Sequence, residues 1–520
     1  MIIRTSIMLL LSVYAFYIAM RYNMHMFQLN GYKNGEHWNR MNKNMRQQWL
    51  LGWIFLVGVV RFLTDSIVWD IVAYISLILI ILEYSALKRL NTKKKLVYTA
   101  RVMRMVATIV VVALIVLIVL GVLLGIEKVS AIALILVSLQ WCSDIVANVI
   151  NSPIEHAVKN YYINDAKRML RESPQLKIIG VTGSYGKTSV KFYLKTLLGA
   201  KYNVLVTPES FNTPMGVVRT IRESMDSRHE VFICEMGARH MGDIKEICDI
   251  VHPHHGVITS IGPQHLETFF NMENIVHTKF ELADALPQDG MLFLNGDNDY
   301  INKNASKYAN PIFYHAQEEN DGYCARNIKL SKYGTDFEVV APNGESEQFQ
   351  MKLIGEHNVI NVMGAIAVAH KMGIALKDLR VPVRKLQPVE HRMQMREHGA
   401  VTIIDDAYNS NPVGSKAAVE TLAMFDGVRI LITPGMVELG EKEEEFNYKF
   451  GTYAANCCDY IFLVGKKHTR PIQDGVLSKD FPKEKCVAFD KLEDAVSYAY
   501  AIKEQGHKYI LLENDLPDNY

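Results

Sequence analysis

Apolar residues are spread unevenly along the chain, and their spacing changes character near residue 150. Before that point they form long continuous runs. Residues 105–126, "MVATIVVVALIVLIVLGVLLGI", carry no charge before Glu127, which is long enough to cross a bilayer as a helix. A second run, Val129 to Val149, follows directly, and earlier ones cover Ile7 to Met20, the shorter Trp49 to Phe62, and Trp69 to Leu87. Read together, they predict about five membrane helices in residues 1–150. A cleaved signal peptide is a poor rival for the first, because no small-residue cleavage site follows Met20. Buried helices of a soluble domain are the other alternative, and the length of 105–126 argues against them.

The basic residues orient these runs. Arg21, Lys33, Arg40, Lys43 and Arg46 lie between the first and second, and Lys88, Arg89, Lys93, Lys94, Lys95, Arg101 and Arg104 between the third and fourth. The positive-inside rule puts both connections in the cytoplasm. Five spans then leave the N-terminus outside and everything after residue 150 inside. Few charges lie in or near the runs, among them Arg61 and Asp65 near one end and Asp144 in the fifth, which gives a transport path little support.

From residue 153 the runs shorten. Residues 151–175 read as a linker helix, with "PIEHAVKNYYINDAKRML" carrying charges on one face. Short apolar runs then alternate with helical stretches. Strands are predicted at Lys177–Val181, Glu230–Cys234, Gly256–Ser260 and Met291–Leu294, and again at Thr402–Ile404, Arg429–Ile432, Ile461–Val464 and Tyr509–Leu512. This alternation predicts two α/β domains, 176–385 and 386–520, divided near Leu379–Glu390 where Pro382 and Pro388 punctuate the chain.

Composition adds two exclusions. Lys and Arg number 56 against 55 Asp and Glu, which argues against a protein that coats nucleic acid. The seven cysteines form no CxxC pair, so reduced thiols are expected, with neither a structural zinc site nor a disulfide framework.

The chemistry begins at "GVTGSYGKTSV", residues 180–190. A strand precedes it, and a helix with the apolar stripe Val190, Tyr193, Leu194, Leu197 and Leu198 follows. Thr182, Gly183, Ser184, Tyr185 and Gly186 must therefore turn sharply, and Gly183 and Gly186 allow it. Backbone N–H groups, the helix N-terminus and the Lys187 ammonium would converge on a polyphosphate, with Thr188 and Ser189 beside it and Thr188 on magnesium. A strict Walker A would place glycine where Val181 stands. Glu235 ends the apolar run "VFIC", where an α/β sheet presents ligand-binding residues, and a hard oxygen there suits magnesium. His265, after "GVITSI", is a second candidate ligand. Asp405 and Asp406 end another strand and could bind a ribose or position an amine.

"TGSYGKTS" resembles the phosphate loop of the Mur ligase family, the ATP-dependent ligases that build peptidoglycan stem peptides, and its spacing is that family's own. Further motifs follow in order. "FNTPMGV" (211–217) resembles the family's substrate loop, which implies Asn212 and Thr213 in substrate binding, with Thr213 standing where a second asparagine is usual. "EMGARHMGDI" (235–244) and "SIGPQHLETF" (260–269) imply Glu235 and His265 as metal ligands, and "HTKFEL" (277–282) puts Lys279 where the family has a carbamylated lysine. "NGDND" (295–299) and "GEHNVINVMGA" (355–365) resemble segments near the adenine, implicating Asn295, Asn358 and Asn361. "EHRM" (390–393) brings Arg392 to the phosphates. "DDAYNSNP" (405–412), with Asp406, Tyr408, Asn409 and Asn411, and "GMVELGE" (435–441) belong to the C-terminal domain.

The resemblance spans about residues 175–515 and is nearest to the branch that adds D-alanyl-D-alanine to the muramoyl tripeptide. It implies a central ATP-binding domain, a Rossmann-like C-terminal domain, ATP and magnesium. The implied chemistry is a carboxylate activated as an acyl phosphate, with Lys187, Lys279, His265 and Arg392 in the catalytic set, then displaced by an amino-acid or dipeptide amine. The implied setting is the bacterial cytoplasmic membrane, with membrane lipid as a partner and the catalytic domains in the cytoplasm. Two features depart from the family. The uridine-gripping first domain is replaced by the apolar runs, which leaves a nucleotide-linked, lipid-linked or poly-γ-glutamate-type acceptor open. "LLENDLPDNY" (511–520) stands where a KGS-type motif is usual, which leaves the amine open.

Overall fold

A computed structural model describes all of the chain except residues 1, 65, 88–94, 210, 317–321, 409, 467 and 516–520. Asp65, Lys88, Arg89, Lys93, Lys94, Asn409 and the end of "LLENDLPDNY" therefore lie outside the described residues. Two units divide at Tyr161–Tyr162, within the helix Gln140–Arg171.

The first unit is helical. Among the described residues three helices are long and apolar enough to cross a membrane: Ile3–Leu29, Ile67–Leu87 and Ala100–Leu124. The pair Ile126–Ser138 and Gln140–Arg171, bent by 77°, makes a fourth if it counts as one span. The expected count of five is not reached. The run Trp49–Phe62 lies in the helix Met45–Leu63, which includes Arg46, Gln47, Gln48 and Arg61, too polar to qualify. Arg61 is buried against Asp70 at 2.5 Å. The run Val129–Val149 is not one straight helix but breaks at Leu139, and its second half continues without interruption into the expected linker. No glycine or proline marks that break.

The second unit carries two sheets. In the larger, β1 (Lys177–Thr182), β2 (Val204–Val206), β3 (Val231–Glu235), β4 (His255–Ile258), β5 (Leu292–Asn295), β6 (Ile312–His315), β7 (Tyr323–Ser331), β8 (Gly334–Val340) and β9 (Ser346–Met351) take the order β2-β3-β1-β4-β5-β6-β7-β8-β9. Pairing is parallel from β2 through β7 and antiparallel from β7 to β9. Parallel strands are covered on both faces and read as continuous apolar runs. β3 is buried throughout. The antiparallel strands are half-exposed and polar, as in "SEQFQM", so their sequence gives little sign of them.

The second sheet holds β10 (Gln394–His398), β11 (Val401–Asp406), β12 (Val428–Thr433), β13 (Tyr460–Val464), β14 (Cys486–Phe489) and β15 (Lys508–Glu513), in the order β10-β11-β15-β12-β13-β14. Only the β10–β11 pairing is antiparallel. Pro382 does not end an element, because it lies within the helix Leu376–Arg384. In both sheets one strand, β1 or β15, runs between neighbours distant from it in sequence, and the carboxyl ends of such strands are the usual ligand position in open α/β sheets.

Candidate active site

β1 ends at Thr182, whose hydroxyl donates to the Met236 carbonyl at 2.9 Å and so ties the loop's root to the end of β3. The chain then turns through Gly183 (φ +149°) and Gly186 (φ +80°) into the helix Lys187–Leu198. A side chain at 183 would run into the Thr259 hydroxyl and the Ser260 backbone, and one at 186 into the Asn361 amide. Glycine is therefore required at both, by the backbone angle and by the space. The turn is strapped to the segment after β4. The Ser184 N–H donates to the Ser260 carbonyl at 2.6 Å, its hydroxyl to the Gly262 carbonyl at 3.0 Å, and the Tyr185 hydroxyl to the Pro263 carbonyl at 2.8 Å. The loop is thus held in shape before any ligand arrives.

Lys187 donates to the Gly183 and Ser184 carbonyls at 2.7 and 3.0 Å. Burial lowers its pKa to about 8, against the pull of Glu235, with the Arg392 charge adding to the fall. Ser189 is buried and hydrogen-bonds with Tyr193. The Thr188 hydroxyl donates to Glu235 Oε1 at 3.1 Å, and the Asn212 amide to the same oxygen at 3.2 Å. Thr213 caps the helix Pro214–Ser224, accepting from the Gly216 N–H at 3.3 Å.

A partner the sequence did not single out sits on the other carboxylate oxygen. Lys191, fully buried, lies 2.9 Å from Glu235 Oε2 and also donates to the Glu209 carbonyl. The only sign of it is a lysine inside the helix's apolar stripe. Glu235 and Thr188 together present two hard oxygens beside the phosphate loop, a donor set that fits magnesium completed by phosphate and water oxygens. Among the described residues no group of three or more His, Cys, Asp or Glu side chains is arranged to hold a metal.

His265 is a left-handed residue (φ +52°), and its Nδ1 is hydrogen-bonded to the carboxylate of Glu438, itself left-handed (φ +63°). Arg239 reaches the other Glu438 oxygen at 3.4 Å. Burial lowers the pKa of His265 against the pull of Glu438. For Glu438 burial works upward, but the His265 hydrogen bond and the neighbouring charges leave the net shift downward. The Nδ1 side of the His265 ring is thus turned to the Glu438 carboxylate. Lys279 is buried, and desolvation first and the Lys187 charge second hold its ammonium well below the usual lysine range.

The asparagines assigned to the adenine do structural work. Asn295 donates to the Thr259 carbonyl at 2.7 Å and the Ser260 hydroxyl at 3.1 Å, bracing the segment that straps the loop. Asn358 accepts from the Tyr193 hydroxyl at 2.8 Å and donates to the Ile354 carbonyl at 2.8 Å. Asn361 packs against Gly186. Arg392, between the left-handed His391 and Met393, stacks 4.5 Å over the Tyr408 ring. Asp406 accepts from the Met393 N–H at 3.2 Å, and burial raises its pKa to about 6 against the Arg392 charge. Asn411 caps the helix Pro412–Leu422 through the Val413 and Gly414 N–H groups at 3.2 and 2.8 Å.

β15 ends at Glu513, which was also missed. It accepts from the Ser410 and Thr433 hydroxyls, and burial raises its pKa to about 7.

A model of the Mur ligase middle domain matches residues 181–369, and one described as Mur ligase, glutamate ligase domain matches residues 391–512. The UDP-N-acetylmuramoyl-tripeptide--D-alanyl-D-alanine ligase of Bacillus subtilis (strain 168) is 30% identical over 369 residues, 69% of this chain and 78% of that enzyme. The chain belongs to the Mur ligase family. The enzyme of the same name from Escherichia coli (strain K12) is 28% identical over 351 residues, 66% of this chain and 77% of its own. A crystal structure of MurF from Acinetobacter baumannii superposes with a TM-score of 0.63 at 25% identity, covering 70% of this chain and 78% of that one. Both Mur ligase matches lie in the second unit, so the phosphate loop, Glu235, His265 and Lys279 fall in the middle-domain match and Arg392, Asp406 and Glu438 in the other.

Proposed function

We propose that this chain is an ATP-dependent, ADP-forming ligase that joins D-alanyl-D-alanine to the carboxylate of UDP-N-acetylmuramoyl-tripeptide in peptidoglycan precursor synthesis. The observation that carries the ligase reading is the strapped loop 182–189 facing the Thr188–Glu235 oxygen pair. The substrates are supported by the Bacillus subtilis and Escherichia coli relatives, both of which bear that activity in their names.

In this reading the loop N–H groups, the helix N-terminus and Lys187 hold the ATP phosphates, and Arg392 approaches them from the C-terminal domain. Thr188, Glu235 and His265 would hold magnesium, which supplies charge neutralisation at the transferring phosphoryl group. The substrate carboxylate attacks the γ-phosphate to give an acyl phosphate and ADP, and the amine then displaces phosphate to form the amide. Charge accumulates on the transferring oxygens, so positioned cations are what the step requires of the protein. Burial lowers the pKa of Lys279, which favours the neutral amine that uptake of carbon dioxide requires. The carbamate carries a negative charge that would offset Lys187 and the metal. Asn212, Thr213, Tyr408 and Asn411 would bind substrate, and Asp406 the nucleotide.

The apolar helices support a place at the bacterial cytoplasmic membrane, in contact with lipid. The basic residues from Lys88 to Arg104 favour the cytoplasm for their connection and, with the bent pair Ile126–Ser138 and Gln140–Arg171 counted as one span, for the ligase domains. These helices also favour a second reading, in which the acceptor is a lipid-linked muramoyl peptide or a poly-γ-glutamate-type polymer.

The test offers the purified full-length protein UDP-muramoyl-tripeptide, a lipid-linked muramoyl peptide and glutamate polymers, each with D-alanyl-D-alanine or single amino acids, and scores ADP and product mass. Amide formation on the nucleotide precursor, abolished in Lys187→Ala, is expected. Success with the lipid-linked form alone would transfer the assignment to the second reading, and unchanged turnover in Lys187→Ala would end both.

A further inference from the structure

His265 and Glu438 are the two ends of one contact, and their surroundings make it an unusual one. They come from the two Mur ligase matches, each sits at a left-handed backbone angle without being glycine, and each is mostly buried, with side-chain exposures of 15% and 18%. Left-handed angles are costly for a non-glycine residue and persist where the surroundings impose them. Here the segments carrying them are joined, since the Glu267 N–H donates to the Glu438 carbonyl at 3.4 Å and Arg239 reaches the Glu438 carboxylate from the Glu235 motif. A carboxylate oxygen accepts, so in this hydrogen bond Nδ1 carries the proton. Nε2 is then the lone-pair nitrogen, and no described side chain occupies it.

We propose that Glu438 is a positioning residue for the metal site: from the C-terminal domain it fixes the tautomer and ring orientation of His265, so that metal affinity in the middle domain depends on the seating of the C-terminal domain. This rests on the reading of His265 as a metal ligand. Its physical basis is general. A ligating imidazole donates its second N–H to a carboxylate, which raises its basicity and fixes its aim, and loss of such a partner costs about 10–100-fold in metal affinity. Here the carboxylate belongs to the other domain. Seating that domain therefore prepares the site, and binding of the ion in turn favours the seated arrangement.

The experiment measures Mn2+ affinity of the full-length protein by electron paramagnetic resonance with ADP present, alongside turnover. Glu438→Gly removes the carboxylate at an angle glycine prefers, so the backbone is relieved rather than strained. It is expected to weaken Mn2+ binding about 10–100-fold, as is His265→Ala, and the double variant should bind no more weakly than His265→Ala alone. Glu438→Gln, whose amide oxygen still accepts from Nδ1–H, should recover most of the affinity. Arg239→Ala, which removes only the partner of the other Glu438 oxygen, should weaken Mn2+ binding less than Glu438→Gly does.

If Glu438→Gly binds Mn2+ within about twofold of the natural chain while His265→Ala does not, Glu438 is no positioning residue and the proposal falls. Multiplying losses in the double variant would also overturn it. Full affinity in His265→Ala would instead remove the ligand reading beneath the proposal, a distinct outcome.

Discussion

Replacing Lys191 with methionine should show how Glu235 is kept charged and aimed. Lys191 and Glu235 have side-chain exposures of 0% and 1%, with 2.9 Å between Nζ and Oε2. Methionine preserves most of the volume, so the change is chiefly electrostatic. Removing one member of a buried ion pair costs about 3–5 kcal/mol, because the other charge is left without compensation. The low end applies here, since Oε1 keeps its bonds from Thr188 and Asn212 and only Oε2 loses its partner. For a domain of this size, about 3 kcal/mol lowers the melting temperature by roughly 6–12 °C. A bound divalent ion restores positive charge beside Glu235, so the deficit should shrink when magnesium and ADP are present. Adding Glu235→Gln should recover about 2 kcal/mol or more of the loss, because the two sites form one unit. The assay is thermal melting of the four proteins of this cycle, with and without magnesium and ADP. A Lys191→Met protein that melts with the natural chain would refute the reasoning, and so would additive losses in the double variant.

Glu513→Gln tests the buried carboxylate at the end of β15. Its pKa stands at about 7 in the fold against 4.5 unfolded, so the folded state holds the extra proton between those values. Its contribution to stability is therefore present below pH 4.5 and lost as pH rises through 7, a change on the order of 2–3 kcal/mol. The glutamine variant should lack this slope in urea titrations from pH 5 to 8, and an identical slope would remove Glu513 as its source. Gly183→Ala puts a side chain against Thr259 and Ser260 at φ +149°, and should weaken ADP binding by calorimetry roughly tenfold or more. Asn411→Ala should cost about 1 kcal/mol through the lost helix cap, whereas Asn411→Asp keeps the cap. A raised KM in the aspartate variant would show that Asn411 meets substrate as well.

Sequence and structure agree most closely where burial on both faces turns a strand into a continuous apolar run. β1, β3, β4, β5, β11, β12, β13 and β15 were all legible for that reason, and with them the strand-to-helix turn that carries Lys187. β7 to β9 were not, because half-exposed antiparallel strands are mixed in composition and their pairing is settled by neighbours distant in sequence. The bend at Leu139 and the helix through Pro382 were likewise out of reach, since local punctuation is absent at the first and overridden by packing at the second.

The candidate site divides the same way. Residue type and spacing alone pointed to a phosphate loop between β1 and its helix, with Thr188 and an acidic strand end beside it. These are consecutive in the chain or follow from how an α/β sheet presents its edge. Only the tertiary structure decided what each charge faces: Lys191 on the far oxygen of Glu235, Glu438 on His265, and the hydroxyls of Ser410 and of Thr433 at the end of β12 on Glu513. A charge buried by folding has to be met, and the group that meets it is whichever the fold brings within about 3 Å, however far along the chain it lies.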